Sequence, residues 1–590
     1  MKHKIFLFLT TTCVMLLSIS YAQNFSKVTS GPVVTNPGDS RSVNWVDVNN
    51  DDLPDLMITN GPAGGQNNFL YLNDAQGGFI AVTNDTIVHD SKPSDGATWA
   101  DTDNDGDLDC FVANWYNSIG LYYTGNGNGT FVYQPGAGLT NGITYSETAA
   151  WGDYDQDGYV DLYVARSGGT VATNRNFLFH NNAGNSFTKI TVGTPTTDAA
   201  VSRSVNWTDI DGDGDLDLFV TNEGSSNNNE HMYRNDSAGQ FVKLTSGPLL
   251  NDGKSTMSSS WGDFDNDGDL DVFLANDNST NGLFRNDGNF VFNKLSSDTV
   301  STTPSNSFSS AWADVDNDGD LDLFVTNAFA ANTKLPCFFY LNNGNSTFSR
   351  VAIHTLVQDS GWTYGCAFAD YDKDGFQDLA VATCRYQGVD AVDYLYHNQG
   401  NTNNWISIKL IGSQSNRSAI GSKVRVKANI NGTFVWQLRE ISAQSSYCGQ
   451  NELRGHFGLG DASIIDSLKI EWPSGLVSYF DSIGINQFIT ITEGQGLTIE
   501  SMEKQQNELQ CYPNPGNEKI TIRTGELNLQ PGDELVFQNS KGDTLSRINI
   551  SHTVNEITID LKQQGIQAKG VYYVTHISKS KKITKKILKL

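Results

Sequence analysis

The sequence predicts an all-β chain whose body is a closed ring of seven four-stranded antiparallel sheets, followed by two smaller β domains. Three observations predict it: one acidic phrase that returns seven times, a hairpin phrase that keeps the same period, and the lack of any continuous helical periodicity.

The acidic copies read "WVDVNNDDLPDLMITN", "WADTDNDGDLDCFVAN", "WGDYDQDGYVDLYVAR", "WTDIDGDGDLDLFVTN", "WGDFDNDGDLDVFLAN", "WADVDNDGDLDLFVTN" and "FADYDKDGFQDLAVAT". Their leading aspartates, Asp47, Asp101, Asp153, Asp209, Asp263, Asp314 and Asp370, recur at intervals of 51 to 56 residues. That period suits one four-stranded blade of a β-propeller better than a helical repeat. An aromatic strand, an Asn/Gly turn and a second strand follow each loop, as in "FLYLNDAQGGF", "HMYRNDSAGQF" and "FFYLNNGNSTF", which are hairpin signatures.

Taken in chain order, residues 1–22 read as a signal peptide: Lys2 and Lys4 precede the apolar "IFLFLTTTCVMLL", and Ser20-Tyr21-Ala22 offers a small-residue exit. Residues 23–403 form the ring. "NFSKVTSGPVVTN" before the first blade matches "QFVKLTSGPLLND" inside the repeat, so it is an orphan outer strand that pairs with the last blade and closes the ring. Within each blade Ser and Ala crowd the first strand ("SSSW", "SSAW", "TAAW"), as expected where inner strands converge on a narrow axis.

Residues 404–494 alternate like strands in "KVRVKANI", "FVWQLREI" and "SLKIEWPSG" and form a small β domain. Residues 495–510 are polar without a packing period and read as a linker, and residues 511–590 form a terminal β domain.

The acidic phrase D-x-D-x-D-G-x-x-D points to a metal. Alternate side chains at positions 1, 3 and 5 can turn inward on one tight loop, and the aspartate at position 9 returns as the chain leaves it. Hard oxygen donors on a flexible loop suit calcium better than magnesium, which demands strict octahedral geometry.

The candidate ligands are Asp47, Asn49, Asp51 and Asp55 in the first loop, and Asp101, Asp103, Asp105 and Asp109 in the second. They continue with Asp153, Asp155, Asp157 and Asp161 in the third, and Asp209, Asp211, Asp213 and Asp217 in the fourth. The fifth offers Asp263, Asp265, Asp267 and Asp271, the sixth Asp314, Asp316, Asp318 and Asp322, and the seventh Asp370, Asp372, Asp374 and Asp378.

Up to seven Ca²⁺ ions follow. The first site is the weakest, because Asn49 replaces an aspartate and Asp52 replaces the glycine of the left-handed turn. Apolar residues such as Val220 and Leu274 stand where a helical calcium hand carries a bidentate Glu, so the ion is structural and set on strands. The tryptophan ahead of each loop, from Trp45 to Trp312 with Phe368 in the last copy, repeats too strictly to be a ligand platform and belongs to the interblade core.

With these motifs, residues 25–400 resemble the FG-GAP/VCBS repeats, which implies a seven-bladed calcium-binding propeller of the kind seen in integrin alpha chains. Residues 404–494, through "AIGSKVRVKANINGTFVWQLREISAQSSYCGQNELRGHFGLGDASIIDSLKIEWPSG", resemble the ASPIC/UnbV domain found after such propellers in the cartilage acidic protein family. Residues 511–590, with "CYPNP", "GVYYV" and "KSKKITKKILKL", resemble the type A sorting domain of the type IX secretion system of Bacteroidetes. That resemblance implies a β-sandwich-like fold, contact with the secretion machinery, export through the periplasm, and a final place outside the cell or on its outer surface.

Formal net charge is -27, which argues against a nucleic-acid partner, and no later stretch is long and apolar enough to span a membrane. Among the cysteines only Cys366 and Cys384, on neighbouring strands, suggest a bridge; two packed thiols are the equal alternative. Arg439, Glu440, Arg454 and His456 cluster in sequence, but strand-end charges around "HFGLG" explain them better than an active site.

Ligand recognition is expected on the face opposite the acidic loops, where the repeat does not dictate residue type. Trp115, Tyr116, Tyr145, Arg166, Trp362, Tyr364, Arg385 and Tyr386 are the irregular aromatic and basic residues there. They suit an extracellular glycan or protein partner. The function that follows is a non-enzymatic adhesion or recognition module; the competing class is a calcium-dependent polysaccharide lyase or hydrolase on the same scaffold.

Overall fold

The computed structural model describes residues 24–140, 145–168, 174–224, 229–237, 239–495, 497–499, 509–512, 519–524, 529–539, 544–554, 556–578 and 582–589. The signal-peptide segment 1–22 lies outside them. The chain divides into two units, Met1–Thr498 and Ile499–Leu590.

Within the first unit the acidic phrase builds the same sheet each time. In the second sheet, Ser94–Ala100 pairs antiparallel with Asp109–Asn114, which pairs with Leu121–Gly125 and then Phe131–Tyr133. Seven sheets of this order span residues 25–398. Their inner strands, Ser40–Val46, Ser94–Ala100, Ser146–Gly152, Ser202–Thr208, Thr256–Gly262, Ser307–Ala313 and Thr363–Ala369, each pack on the next, and the last packs on the first. The orphan strand Phe25–Lys27 pairs with Tyr394–Asn398 as the outer strand of the last sheet, so the two chain ends of the ring are fastened in one ladder.

The repeated side chains explain how the sheets hold together. Trp45, Trp151, Trp207 and Trp312 are buried, and each donates its indole N–H to a backbone oxygen of the preceding sheet, at Ala367, Thr98, Ala150 and Ser260. The asparagine that closes the third strand does the same from the rim: Asn235 Nδ2 donates to Tyr154 O of the preceding loop and to Leu216 O of its own.

Residues 404–499 add two sheets. One orders Arg454–Gly460, Asn404–Ile411, Gln487–Thr492 and Leu497–Ile499; the other orders Thr433–Glu440, Lys423–Ile430, Ile465–Glu471 and Val477–Ile483. Leu497–Ile499, expected in the linker, is therefore an edge strand of this domain. Its core joins Ile406, Ile408, Val424, Val426, Leu468 and Ile489.

The second unit carries a three-stranded and a four-stranded sheet, including Lys519–Thr524 and Gly570–Ile577, that share Ile520, Ile522, Leu535, Phe537 and Val574 as a core. Among the described residues no helix is long and apolar enough to cross a membrane.

Candidate functional site

Each acidic loop is folded by its own carboxylates. In the second, the Asp105 and Gly106 N–H groups donate to the two oxygens of Asp101 at 3.1 and 2.7 Å. The N–H at position 6 donates to Oδ2 of the leading aspartate in all seven loops. Positions 4 and 6 adopt left-handed backbone, as at Asn104 (φ 62°) and Gly106 (φ 101°). Asparagine and glycine tolerate that region, which accounts for the "DNDG" spelling. The position-4 amide then reaches the next loop: Asn104 Nδ2 donates to Gly158 O, and Asn317 Nδ2 to Gly375 O, both at 2.9 Å.

Position 9 has a strut role. Asp109 accepts from Thr102 N at 3.0 Å and Gly125 N at 2.9 Å, tying the loop's start to the third strand. Candidate ligand atoms of Asp101, Asp103 and Asp109, of Asp153, Asp155 and Asp157, and of Asp209, Asp211 and Asp217 lie within 4.8 Å of one another in each group.

The donor set fits a hard divalent cation. Asp155, Asp265 and Asp316, all at position 3, each leave Oδ1 buried without a hydrogen-bond partner. Burial first, and neighbouring carboxylates after it, push Asp153 up to about 8. A cation among these oxygens removes both penalties.

The second domain covers this face. Lys409 lies 2.6 Å from Asp52 Oδ1, Arg454 lies 3.4 Å from the same oxygen, and Lys423 pairs with Asp209. Asp101 N donates to Ser418 Oγ, Asp209 N to Glu440 Oε2, and Arg425 Nη1 donates to Gly268 O. The loop glycines acquire a second reason here: a Cβ on Gly375 would sit 1.9 Å from Trp405, and one on Gly319 would sit 2.8 Å from Ile430. The first loop, which lacks the glycine, meets Lys409 and Arg454 with its Asp52 carboxylate instead.

Glu440, Arg454 and His456, the last bonded through Nε2 to Asn317 Oδ1 at 2.7 Å, are thus seam contacts.

From that domain, residues 443–451 enter the axial channel and hydrogen-bond to every sheet. Their partners are Val43 N, Trp99 N, Glu147, Asn206, Ser258, Ser310 N and Phe368 N. The Ser- and Gly-rich inner strands leave room for this insertion: a Cβ on Gly365 would lie 2.2 Å from Cys448 O.

Each inner strand carries a register shift near its start, a bulge that re-aims one side chain. The residues at these positions are Arg41, Asp95, Glu147, Arg203, Met257, Phe308 and Tyr364, and they meet at the far end of the channel. Glu147 accepts from Ser167, Arg203 and Tyr447. Arg41 pairs with Asp39 at 3.3 Å, lies 3.9 Å from Asp95 and sits over the Tyr364 ring. Burial drives Asp95 well above the usual carboxyl range, with Glu147 beside it, whereas Arg203 and the hydrogen bonds outweigh the burial of Glu147 and hold it low.

The candidate ligand residues separate into groups on this far face. Trp362, Tyr386 and Phe329 form a strip, with ring centres 5.1 Å (Trp362 to Tyr386) and 4.9 Å (Phe329 to Trp362) apart, continuing inward through Phe308 to Tyr364. A cavity of about 370 Å³ lies beside it, lined by Lys334, Trp362, Tyr386 and Asp390. Trp115, Tyr116 and Tyr145 form a second cluster, with Trp115 and Tyr145 5.2 Å apart.

One expected surface residue is buried, and the two arginines are engaged by neighbouring side chains. Tyr364 is only 4% exposed, because its hydroxyl is bonded to Tyr447 at 2.6 Å inside the channel. The Arg166 guanidinium lies over Phe177. Arg385 is engaged by Asp390 at 2.6 Å. Cys366 and Cys384 are both free, buried thiols.

Sequence reasoning missed two sets of residues. The bulge ring was legible as the second letter of "SRS", "SDG", "SET", "SRS", "TMS", "SFS" and "TYG", the point where otherwise similar strands disagree. His180 and His397 were also missed. Each imidazole faces the position-3 and position-9 carboxylates of its own loop, His180 Nδ1 lying 3.2 Å from Asp155 and 3.3 Å from Asp161. The hydrogen bond to Asp161 leads in pushing His180 up to about 9. "FLFHN" and "YLYHN", against "FLYLN", were the available signal.

Three sequence families match the chain: FG-GAP-like repeat over residues 47–112, 101–164, 153–220, 209–274, 263–325 and 329–381; ASPIC and UnbV over 412–498; and Secretion system C-terminal sorting domain over 510–589. Cartilage acidic protein 1 of Mus musculus is 27% identical over 268 residues, covering 44% of this chain and 40% of that protein. The Homo sapiens protein of the same name is 26% identical over 266 residues, covering 44% and 39%. The matched region thus spans about two fifths of these relatives. A solved fungal lectin from Aleuria aurantia, with a six-bladed β-propeller fold, is 11% identical, covers 55% of this chain and 98% of its own, and has a TM-score of 0.33.

Proposed function

We propose that this chain, which belongs to the FG-GAP-like repeat family, is a calcium-stiffened recognition protein that binds an extracellular glycan at the channel mouth beside Phe329, Trp362 and Tyr386. Its sorting domain directs export to the cell surface or beyond. The observation that carries the reading is the division of the two faces: the second domain occupies the acidic-loop face, and the opposite mouth keeps an aromatic strip next to a cavity. Aromatic faces bury large area at little loss of side-chain freedom, and the neighbouring Lys334 and Asp390 supply polar partners for hydroxyl groups.

Calcium supports recognition indirectly. Three of the loops bury a carboxylate oxygen without a hydrogen-bond partner that a hard cation would satisfy, and position-4 amides of five loops bond to the next loop, which would pass stiffening between blades. The ions would be held by the aspartates at positions 1, 3 and 5, with position 9 fixing the loop.

A second reading, a polysaccharide-active enzyme, is favoured by one observation: Asp95 and Glu147 are neighbouring carboxyls with proton affinities pushed in opposite directions. Their burial behind Tyr447 favours binding over catalysis. Incubation of the full chain with extracellular polysaccharides, with calcium present, separates the readings. Retention without new reducing or unsaturated ends, weakened by Trp362→Ala or Tyr386→Ala, supports the binding protein. Cleavage abolished by Glu147→Gln would replace it with the enzyme.

A further inference from the structure

We infer that the outward sheet of the second domain is a separate binding surface for an acidic polysaccharide. One side of the sheet made by Thr433–Glu440, Lys423–Ile430, Ile465–Glu471 and Val477–Ile483 packs into the core through Val424, Val426, Ala428, Leu468 and Ile470. The other side presents Phe434, Trp436 and Tyr479, exposed by 58%, 40% and 65%. Alternation along paired strands requires an outward face, but a solvated face has no need of three large aromatics. Exposed apolar area gathered on one rigid surface marks a binding region.

Register places cations between the aromatics. Lys427 pairs with Trp436 on one side and Ser467 on the other, while Arg425 pairs with Lys469, which pairs with Tyr479. Paired residues share a face, so Lys427 and Lys469 fill the strip between the Phe434/Trp436 edge and the Tyr479 edge, and Arg425, whose Nη1 donates to Gly268 O, bounds it where the sheet meets the ring. Three strand spacings make that strip about 14 Å wide.

Lys427 lies over the Phe434 and Trp436 rings, and among the described residues it makes no ion pair. Glu471 bonds both Arg425 and Lys469, and Asp481 is exposed on this side; Lys423 and Glu440, on the same face, are turned to Asp209 in the seam. Basic side chains thus outnumber acidic ones on this face, whereas the whole chain has 39 Lys and Arg against 66 Asp and Glu. A local reversal of sign, bordered by aromatic rings, complements a polymer with apolar ring faces and regularly spaced carboxylates or sulfates. A neutral polymer has no use for the cations, and a purely electrostatic contact has no use for the rings.

This inference does not depend on the channel mouth, since the two surfaces share no residue. The test is affinity electrophoresis of the full chain through gels containing alginate, chondroitin sulfate or dextran. At least one acidic polymer should retard the wild type while dextran does not, and retardation should fall as salt rises. Trp436→Ala with Tyr479→Ala should weaken retention at least about tenfold, the equivalent of losing roughly 1.4 kcal/mol. Lys427→Gln should weaken it less. Both aromatics are exposed, so an unaltered melting temperature in the double variant will show that folding is intact. No retardation by either acidic polymer, equal retardation by dextran, or unchanged retention of the double variant overturns the inference. So does a dimer that the double variant dissociates, which would assign the surface to a second copy of the chain.

Discussion

Tyr447 of the second domain donates its hydroxyl to Glu147 of the third sheet, 300 residues away in sequence, from the inner end of a hairpin that traverses the channel. The same hydroxyl meets that of Tyr364 at 2.6 Å. The ring and the second domain are therefore one folding unit pinned at its axis, and the pin is polar.

Tyr447→Phe keeps the ring and removes the bond, so it should destabilise the full chain by about 1 to 3 kcal/mol, since a buried charged acceptor loses a donor. Tyr447→Ala should cost about 3 to 5 kcal/mol by leaving a cavity as well. Urea unfolding followed by tryptophan fluorescence measures both; equal stability of wild type and Tyr447→Ala would show that the hairpin does not pin the ring.

The paired acids should divide by pH. Asp95 binds its proton more tightly folded than unfolded, so its contribution is complete below the ordinary carboxyl value of 3.8 and declines as pH rises above it. Glu147 has the opposite sign: Arg203 favours its charge, and its contribution is lost as pH falls below 4.5. Asp95→Asn should cost less than about 1 kcal/mol at neutral pH and flatten the decline, whereas Glu147→Gln should cost about 1 to 3 kcal/mol, because Arg203 keeps Glu223 but loses its second carboxylate. Stability measured from pH 4 to 8 in the two variants decides it.

Two loop glycines separate backbone strain from docking. Gly214 (φ 100°) has no atom within 4 Å of the place its Cβ would occupy, so Gly214→Ala should cost about 1 kcal/mol from the left-handed backbone alone. Gly375 (φ 92°) faces Trp405, and Gly375→Ala should cost about 2 to 4 kcal/mol, because the second domain must also move. Equal losses in thermal melts would show that the seam is loose at Trp405.

Calcium removal and the loop positions give the last test. Chelation should lower the melting temperature of the full chain, and Asp103→Asn should weaken calcium binding while leaving the chelated protein's stability nearly unchanged. Asp109→Asn should lower stability even with chelator present, by about 1 to 3 kcal/mol, because Asp109 holds Thr102 N and Gly125 N. Calorimetry with and without calcium distinguishes the two positions.

Legibility in the sequence followed locality. The acidic loops, hairpins, buried tryptophans and closing strand Phe25–Lys27 were readable because each is specified by residues close together or by a phrase repeated in register. Trp115, Trp362 and Tyr386 stand out in the sequence as departures from the repeat. Tyr364 was misplaced because nothing near "TYGCAF" announces Tyr447, its partner 83 residues on. The basic and aromatic sheet around Lys427 went unread for a related reason: its residues come from four strands, and only register sets them side by side.

By itself, the sequence determined the sheets, their period and the chemistry of the loops, since alternation, turn residues and carboxylate spacing act over a few residues. Tertiary structure alone decided that the second domain sits on the acidic-loop face and threads the channel. That arrangement depends on Lys409 meeting Asp52, Trp405 fitting over Gly375 and residues 443–451 matching seven strands at once. Such complementarity between distant surfaces is set by three-dimensional shape and charge, and no local pattern in the chain encodes it.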